Sequence, residues 1–204
     1  MTFSNQRLNN AIKKLTGLPG IGPRQATRLA YFLARQDNQR TLELSQSISQ
    51  LTSASICSNC FFIHENDFGP DGLCEICSDP ARQSNLIAII EKETDLISLE
   101  KTNQFNGHYL ILGDLKKNGI LEDEQRRRIE HLKKNINQNL NSQAQEIILA
   151  INPTSFGDFS ASLLSKELAP FATKITRLGR GIPTGGEIEF ADEDTLSAAL
   201  QNRN

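Results

Sequence analysis

Apolar residues recur along this chain first at helical spacing and later in short strand-like runs. Near the start, Leu8, Ile12 and Leu15 repeat at i, i+4 and i+7, with Ser4 placed to cap a helix and Gly17 to end it. Pro23 suits the first position of a second helix, whose Ala26, Leu29, Ala30 and Leu33 form one apolar face. Leu44, Ile48 and Leu51 mark a third helix. After Pro80 the period changes. The run Leu86-Ile87-Ala88-Ile89-Ile90 reads as a buried strand, followed by a helix from about Thr94 carrying Leu96 and Leu99. Residues 109–112 form the next strand, and Ile129, Leu132, Ile136 and Leu140 a longer helix. A third strand follows at 147–151, then a helix with Phe159, Leu163 and Leu164 that ends before Pro170, then a fourth strand from Lys174. Such alternation predicts an α/β fold, a parallel sheet flanked by helices, in which functional groups collect beyond the strands' carboxyl ends.

Charge is distributed unevenly over these elements. Residues 1–36 hold six basic residues (Arg7, Lys13, Lys14, Arg24, Arg28 and Arg35) and no acidic one. The remainder holds 16 basic against 24 acidic residues, so the formal net charge of −2 conceals a basic head on an acidic body. Within that head, Leu18-Pro19-Gly20-Ile21-Gly22-Pro23 separates the first two helices. Gly20 and Gly22 around one apolar residue permit a tight hairpin that another backbone can approach. The second helix begins at the hairpin, so its unpaired N–H groups and positive dipole end make a phosphate site, with Lys13, Lys14, Arg24 and Arg28 around it. This is a helix–hairpin–helix pattern that contacts DNA through phosphates. The alternative is an ordinary helical hairpin, against which the charge distribution argues.

The four cysteines all fall in one segment, as Cys57-x-x-Cys60 and Cys74-x-x-Cys77. Two such knuckles can direct four thiolates at one zinc ion, leaving no open position, so the expected zinc is structural. Disulfides are the rival pairing. The first ten residues lack the apolar core of a signal peptide and no run approaches a membrane span, so a cytosolic location is expected, where disulfides are disfavoured. His64 lies near the cysteines and is expected to be a solvated surface residue.

Glu91 ends the first strand of the body, and Asn152 follows the third, with Asp158 a few residues on. This arrangement resembles a Toprim domain. Active Toprim enzymes place a Glu after the first strand and an Asp-x-Asp after the third, to hold magnesium. Here the third strand runs into Asn152-Pro153-Thr154, which argues against catalysis; Glu91 can equally serve as a capping carboxylate for the next helix. The stretch from Gly179 to Gly186 lacks the Gly-Lys-Ser/Thr of a phosphate loop and reads as a rigid extended turn. An acidic strand, Glu187-Ile188-Glu189-Phe190, and a short helix capped by Asp192 are expected after it. Arg126, Arg127 and Arg128 with Lys133 and Lys134 read as a solvated helix face.

Taken in order, these pieces resemble the RecR family of bacterial recombination mediators over nearly the entire chain. The stretches that carry the likeness are Leu18–Arg24, the two cysteine pairs running to Pro80, Ala150-Ile151-Asn152-Pro153-Thr154, and Gly181-Ile182-Pro183-Thr184-Gly185-Gly186 with the acidic segment to Asp192. The last is similar to the family's Walker-B-like segment. The resemblance implies a helix–hairpin–helix region at 1–53, a four-cysteine zinc finger at 54–80, a Toprim domain at 81–177 and a C-terminal segment at 178–204. It also implies a non-enzymatic factor that rings DNA as a homo-oligomer, expected to be a tetramer, and acts with RecO and RecF to load RecA. Arg24 and Arg28 would face DNA, and the Toprim face with Glu91 and Asp158 would receive protein partners. This chain differs from the family pattern where Lys92 follows Glu91, where Phe156-Gly157-Asp158 replaces Glu-Gly-Glu/Asp, and in a short loop from Gly113 to Leu121. Rival readings are a magnesium-dependent Toprim nuclease or nucleotidyl transferase and a zinc-finger scaffold that binds proteins alone.

Overall fold

Residues 5–65, 72–115, 119–201 and 203 are described by a computed structural model of the chain, which divides into two units, Met1–Ala54 and Ser55–Asn204. In the first, α1 (Gln6–Thr16), α2 (Pro23–Ala34) and α3 (Asn38–Gln50) follow one another. Asn5 caps α1, its Oδ1 accepting the Leu8 N–H at 3.3 Å; Ser4, the expected cap, lies outside the described residues. Asp37 caps α3 in the same way through the Arg40 N–H at 2.9 Å. Among the described residues of this unit only Ala26 and Ala30 are buried, while Tyr31, Phe32, Leu42, Leu44, Ile48 and Leu51 stay exposed. The first unit therefore has almost no core of its own.

The second unit opens with a small antiparallel pair, β1 (Ser55–Ile56) and β2 (Ile63–His64), and a short helix α4 (Glu75–Ser78). Strands β3 (Gln83–Ile90), β4 (Gly107–Ile111), β5 (Ala144–Ala150) and β6 (Ala172–Arg177) alternate with α5 (Glu93–Glu100), α6 (Asp123–Asn139) and α7 (Ser155–Leu168). All four strands are parallel, in the order β4-β3-β5-β6. Ile90 sits beside Ile111 on one neighbour and Ala150 on the other, so Glu91 and Asn152 leave the sheet at the same end.

Side chains of a strand alternate between faces, and β3 shows the consequence. Ile87 and Ile89 join Leu110, Leu112, Ile129, Ile136, Ile147, Leu149, Leu164 and Leu168 in one buried cluster, formed with α6 and α7. Ala88 and Ile90 face the other way, into a cluster with Leu96 of α5, Tyr109, Ile111, Ile76 and the cysteines Cys57, Cys60 and Cys74. A parallel sheet needs cover on both faces, and here the cysteine-bearing segment supplies part of the second cover.

Several polar expectations change on folding. Arg128 and Lys133 are not solvated: Arg128 donates to the Ile111 carbonyl at 2.9 Å and lies 4.8 Å from the Phe61 ring centroid, and Lys133 bonds Glu130 and Glu167 at 2.7 Å each. Arg126, Arg127 and Lys134 remain exposed, as expected. Phe159 and Leu163 point outward from α7, which buries Gly157, Ser160, Ala161, Leu164 and Leu168 instead. The segment Ile188–Phe190 is a 3₁₀ turn, not a strand, because its alternating side chains find no neighbouring strand and both apolar ones stay exposed. Asp192 does cap the last helix, α8 (Glu193–Gln201), accepting the Thr195 N–H at 2.8 Å.

A polar knot ties the exit of the cysteine segment to the sheet. Arg82 pairs with both oxygens of Glu100 and donates to the Gly107 carbonyl at 3.0 Å, and the Tyr109 hydroxyl donates to Glu100 at 2.6 Å. Burial alone would raise the Glu100 carboxyl, but Arg82 and Tyr109 together hold it below the usual carboxylate value. A depressed folded-state value stabilises above the unfolded-state value and is lost as pH falls through the folded one. Glu100→Gln is therefore expected to cost about 2 kcal/mol at neutral pH. The gap to wild type should narrow as pH drops below the ordinary 4.5, measured by urea unfolding at several pH values.

Candidate functional site

Three places carry the residues singled out in the sequence. The first is the helical hairpin. Pro19 and Gly20 occupy the middle of a turn closed by the Ile21 N–H to the Leu18 carbonyl at 3.2 Å, and Gly20 has φ +76°, the conformation that favours glycine. Gly22 is the extended N-cap of α2, Pro23 follows at its start, and no side chain caps this end. The N–H groups of Arg24 and Gln25 thus begin the helix without carbonyls to pair with. Open space surrounds the positions where Gly20 and Gly22 would carry a Cβ. Lys13 and Lys14 end α1, and Arg24 and Arg28 lie one turn apart on α2. All four are exposed, and none pairs with a carboxylate among the described residues.

The second is the cysteine cluster. Cys57, Cys60, Cys74 and Cys77 bring their sulfurs within 4.8 Å of one another, and all four are free thiols. Cys60 and Cys74 are 3.5 Å apart, close to the spacing of about 3.8 Å set by tetrahedral zinc–sulfur bonds of ~2.3 Å. The first knuckle is shaped by β1 and β2: the Cys57 N–H donates to the Phe62 carbonyl at 2.8 Å, and Phe61 turns back with φ 66°. The Cys74 N–H donates to the Cys57 sulfur at 3.3 Å and the Asn59 amide to Cys77 at 3.4 Å, so these sulfurs are oriented as acceptors. Hydrogen bonding from Cys60, Cys74 and Cys77 pulls the Cys57 thiol far down, while the same contact with Cys57 pushes Cys60 far up. Four sulfurs this close together could hold one metal ion, consistent with a zinc finger.

Contacts from the knuckle reach the sheet directly. The Ile111 N–H on β4 donates to the Cys60 carbonyl at 2.9 Å. Phe61 stacks edge-on against His131 at 5.3 Å, and Asn135 donates to Asn59 at 2.5 Å. His64 is half-buried rather than solvated, with Nδ1 2.8 Å from the Glu65 carbonyl oxygen.

The third place is the carboxyl end of the sheet. Glu91 is only 7% exposed. Its Oε1 accepts the Asn152 N–H at 2.7 Å, joining the ends of β3 and β5. It does not cap the next helix; that end is closed by the Lys92 N–H donating to Asp95 at 3.0 Å. Thr154 caps α7 through the Gly157 N–H at 3.1 Å. A Cβ at position 157 would fall 2.1 Å from the Asn152 carbonyl oxygen, so the close turn requires glycine there. A cavity of about 620 Å³ opens here, lined by Leu115, Asn152, Pro153, Phe156 and neighbours, with Glu91 its one carboxylate among the described residues. Asp158 faces a second cavity of about 610 Å³, which shares Asn152, Pro153 and Ser155 with the first. Arg177 donates to Asp158 Oδ1 at 2.5 Å, and Arg180 donates to the same oxygen. The Arg177 hydrogen bond, chiefly, keeps the Asp158 carboxyl below its usual range. Neither arginine was singled out in the sequence; their place just beyond the last strand was the available signal.

Comparison with known proteins fits this anatomy. Residues 85–179 match the family model of the Toprim domain, so the parallel sheet and its helices define a Toprim protein. The flanks are more particular: residues 8–52 match the RecR helix-hairpin-helix model and residues 181–204 the RecR C-terminal model. The chain belongs to the RecR family. A relative from Gloeobacter violaceus named recombination protein RecR is 37% identical over 199 residues, covering 96% of both chains. Proteins of the same name from a Roseiflexus species and from Dehalococcoides mccartyi are each 36% identical, covering 94% and 96% of this chain and 90% and 93% of their own. Among the described residues no helix is long and apolar enough to cross a membrane.

The bond from Asn152 to Glu91 generates a prediction. Glu91→Ala removes the charged acceptor of this part-buried bond and should cost about 1.5–3 kcal/mol. Glu91→Gln, whose amide oxygen can still accept, should lose clearly less; denaturant unfolding of both variants checks the order.

Proposed function

We propose that this chain is a non-catalytic, DNA-binding recombination mediator of the RecR type. It closes around DNA as a homo-oligomer, a tetramer built from dimers, and acts in the cytoplasm with RecO and RecF to load RecA during recombinational repair. The single observation that carries DNA binding is the uncapped start of α2, flanked by exposed Lys13, Lys14, Arg24 and Arg28 and fronted by glycines with open space. Backbone donors and cations at such a helix end suit phosphates and read no bases. The name of the relatives, recombination protein RecR, supports the pathway.

The absence of catalysis is supported by the donor set at the strand ends. A magnesium site for phosphoryl transfer needs several carboxylates. There Glu91 is engaged with a backbone N–H, and neutral Asn152 stands where an Asp-x-Asp would begin. That same face, with Glu91 and Asp158, is proposed to receive the protein partners.

Zinc is the proposed ion of the cysteine cluster, held by Cys57, Cys60, Cys74 and Cys77. Four protein ligands close its coordination shell, so the ion orders the segment and its cover of the sheet. Oligomer formation is supported by the first unit, whose two buried alanines cannot offset the ordering of three helices. Its exposed Phe32, Leu42, Ile48 and Leu51 are covered by a second copy.

Three measurements test this reading. Protein purified without chelator should contain one zinc per chain by elemental analysis, and Cys60→Ala should lose both the metal and the stability of the second sheet face. Binding to DNA should be indifferent to sequence and steeply salt-dependent, with a slope near −0.9 per phosphate contacted. Arg24→Glu with Arg28→Glu should abolish it with zinc retained. Sedimentation beside the titrations should show binding only where oligomers form; undiminished binding by a monomer or by the double variant would sink the clamp.

A further inference from the structure

The two cysteine knuckles are cross-linked by hydrogen bonds to sulfur that run in opposite directions. The Cys74 N–H of the second knuckle donates to the Cys57 sulfur of the first at 3.3 Å. In return Asn59, which lies between Cys57 and Cys60, donates its side-chain Nδ2–H to the Cys77 sulfur at 3.4 Å. A backbone N–H is aimed by the chain that carries it. A side-chain amide can turn, so whatever aims Asn59 decides which of its ends Cys77 meets.

That aim comes from outside the cysteine segment. Asn135 of α6 donates to the Asn59 Oδ1, and Asn139, one turn on, donates to the Asn135 Oδ1 at 3.1 Å. Each amide has a donor end and an acceptor end. The three side chains therefore form a directed relay, from Asn139 through Asn135 and Asn59 to Cys77. A metal-bound cysteine is a thiolate and only accepts, which suits the donor end of Asn59 and fixes the sense of every bond behind it. The relay starts on a firm base. Ile129, Leu132 and Ile136 bury another face of α6 in the core of the sheet. Arg128 and His131 meet the Phe61 ring, so α6 grips the first knuckle at residues 128, 131 and 135, spaced by three and four.

We propose that Asn135 is a positioning residue for the metal. Through Asn59 it keeps a donor on the Cys77 thiolate, so that α6 of the Toprim sheet sets how tightly the cysteine cluster holds its ion. Four thiolates around one divalent ion leave excess negative charge on the sulfurs, and N–H donors offset it. Cys77 has the greatest need of this, being only partly buried where the other three are buried. The proposal rests on the assignment of the cluster to zinc.

Full-length protein loaded with zinc, or with cobalt as a spectroscopic substitute, tests the relay. Asn59→Ala should weaken zinc about 10–100-fold in competition with a chelator. Asn135→Asp is the sharper variant. It keeps size and shape but offers no donor, so Asn59 turns to donate to the new carboxylate and presents its Oδ1 to the Cys77 thiolate. It should lose zinc at least as readily as Asn59→Ala and more readily than Asn135→Ala. A residue that merely packed would give the reverse order at position 135. In the cobalt form, loss of the N–H bond should move the sulfur-to-cobalt charge-transfer band to longer wavelength in both Asn59→Ala and Asn135→Asp. If Asn135→Asp holds zinc as the wild type does and the band stays in place, the relay is overturned and the zinc site stands. A wild type that takes up neither ion overturns the zinc assignment and the relay with it.

Discussion

A parallel sheet buried on one face only does not persist in water, and here part of the second cover depends on four sulfurs meeting at a point. Ala88, Ile90, Tyr109 and Ile111 are covered by α5 and by the segment carrying Cys57, Cys60 and Cys74. That segment contains two residues each of β1 and β2 and one turn of α4, too little chain to form a core. Its shape comes from the sulfur cluster, and its position from Phe61, Asn59 and the Cys60 carbonyl. The metal-binding segment and the Toprim sheet are thus one folding problem, although they read as successive modules along the chain.

Charge at the strand ends is also committed internally. Glu91 holds a turn, Asp158 holds two arginines, Lys92 pairs with Asp114 at 3.0 Å, and Asp95 closes the start of α5. In a catalytic Toprim arrangement the equivalent carboxylates would face an ion. In this chain they fix backbone and neighbouring elements, which gives a rigid, polar end to the sheet with two cavities separated by Asn152 and Pro153.

Long-range partners mark the boundary of what could be read from sequence. The helix over Asp123–Asn139 was legible from Ile129, Leu132 and Ile136, and the strands from their apolar runs, because period and burial agree there. The hairpin and the two cysteine pairs were legible because turn chemistry and ligand spacing are local. Glu91 meets Asn152 across 61 positions and Lys133 meets Glu167 across 34, so neither pairing leaves a local trace. The alternation Glu187-Ile188-Glu189-Phe190 looked like a strand because alternation implies a buried face, and no face was there to receive it. The basic run at 126–128 looked solvated, since nothing nearby in sequence announces that Phe61 and the Ile111 carbonyl wait for Arg128.

One contact carries a consequence for the life of the molecule outside its task. β4 is an outer strand, apolar at Tyr109, Leu110 and Ile111, and the Cys60 carbonyl occupies its Ile111 N–H. Strand edges of this composition are templates on which other chains add. The knuckle loop is therefore also a guard. A chain whose cysteine cluster comes apart exposes that edge at the same moment as it loses part of its core, and its fate is set by how many other such chains are near.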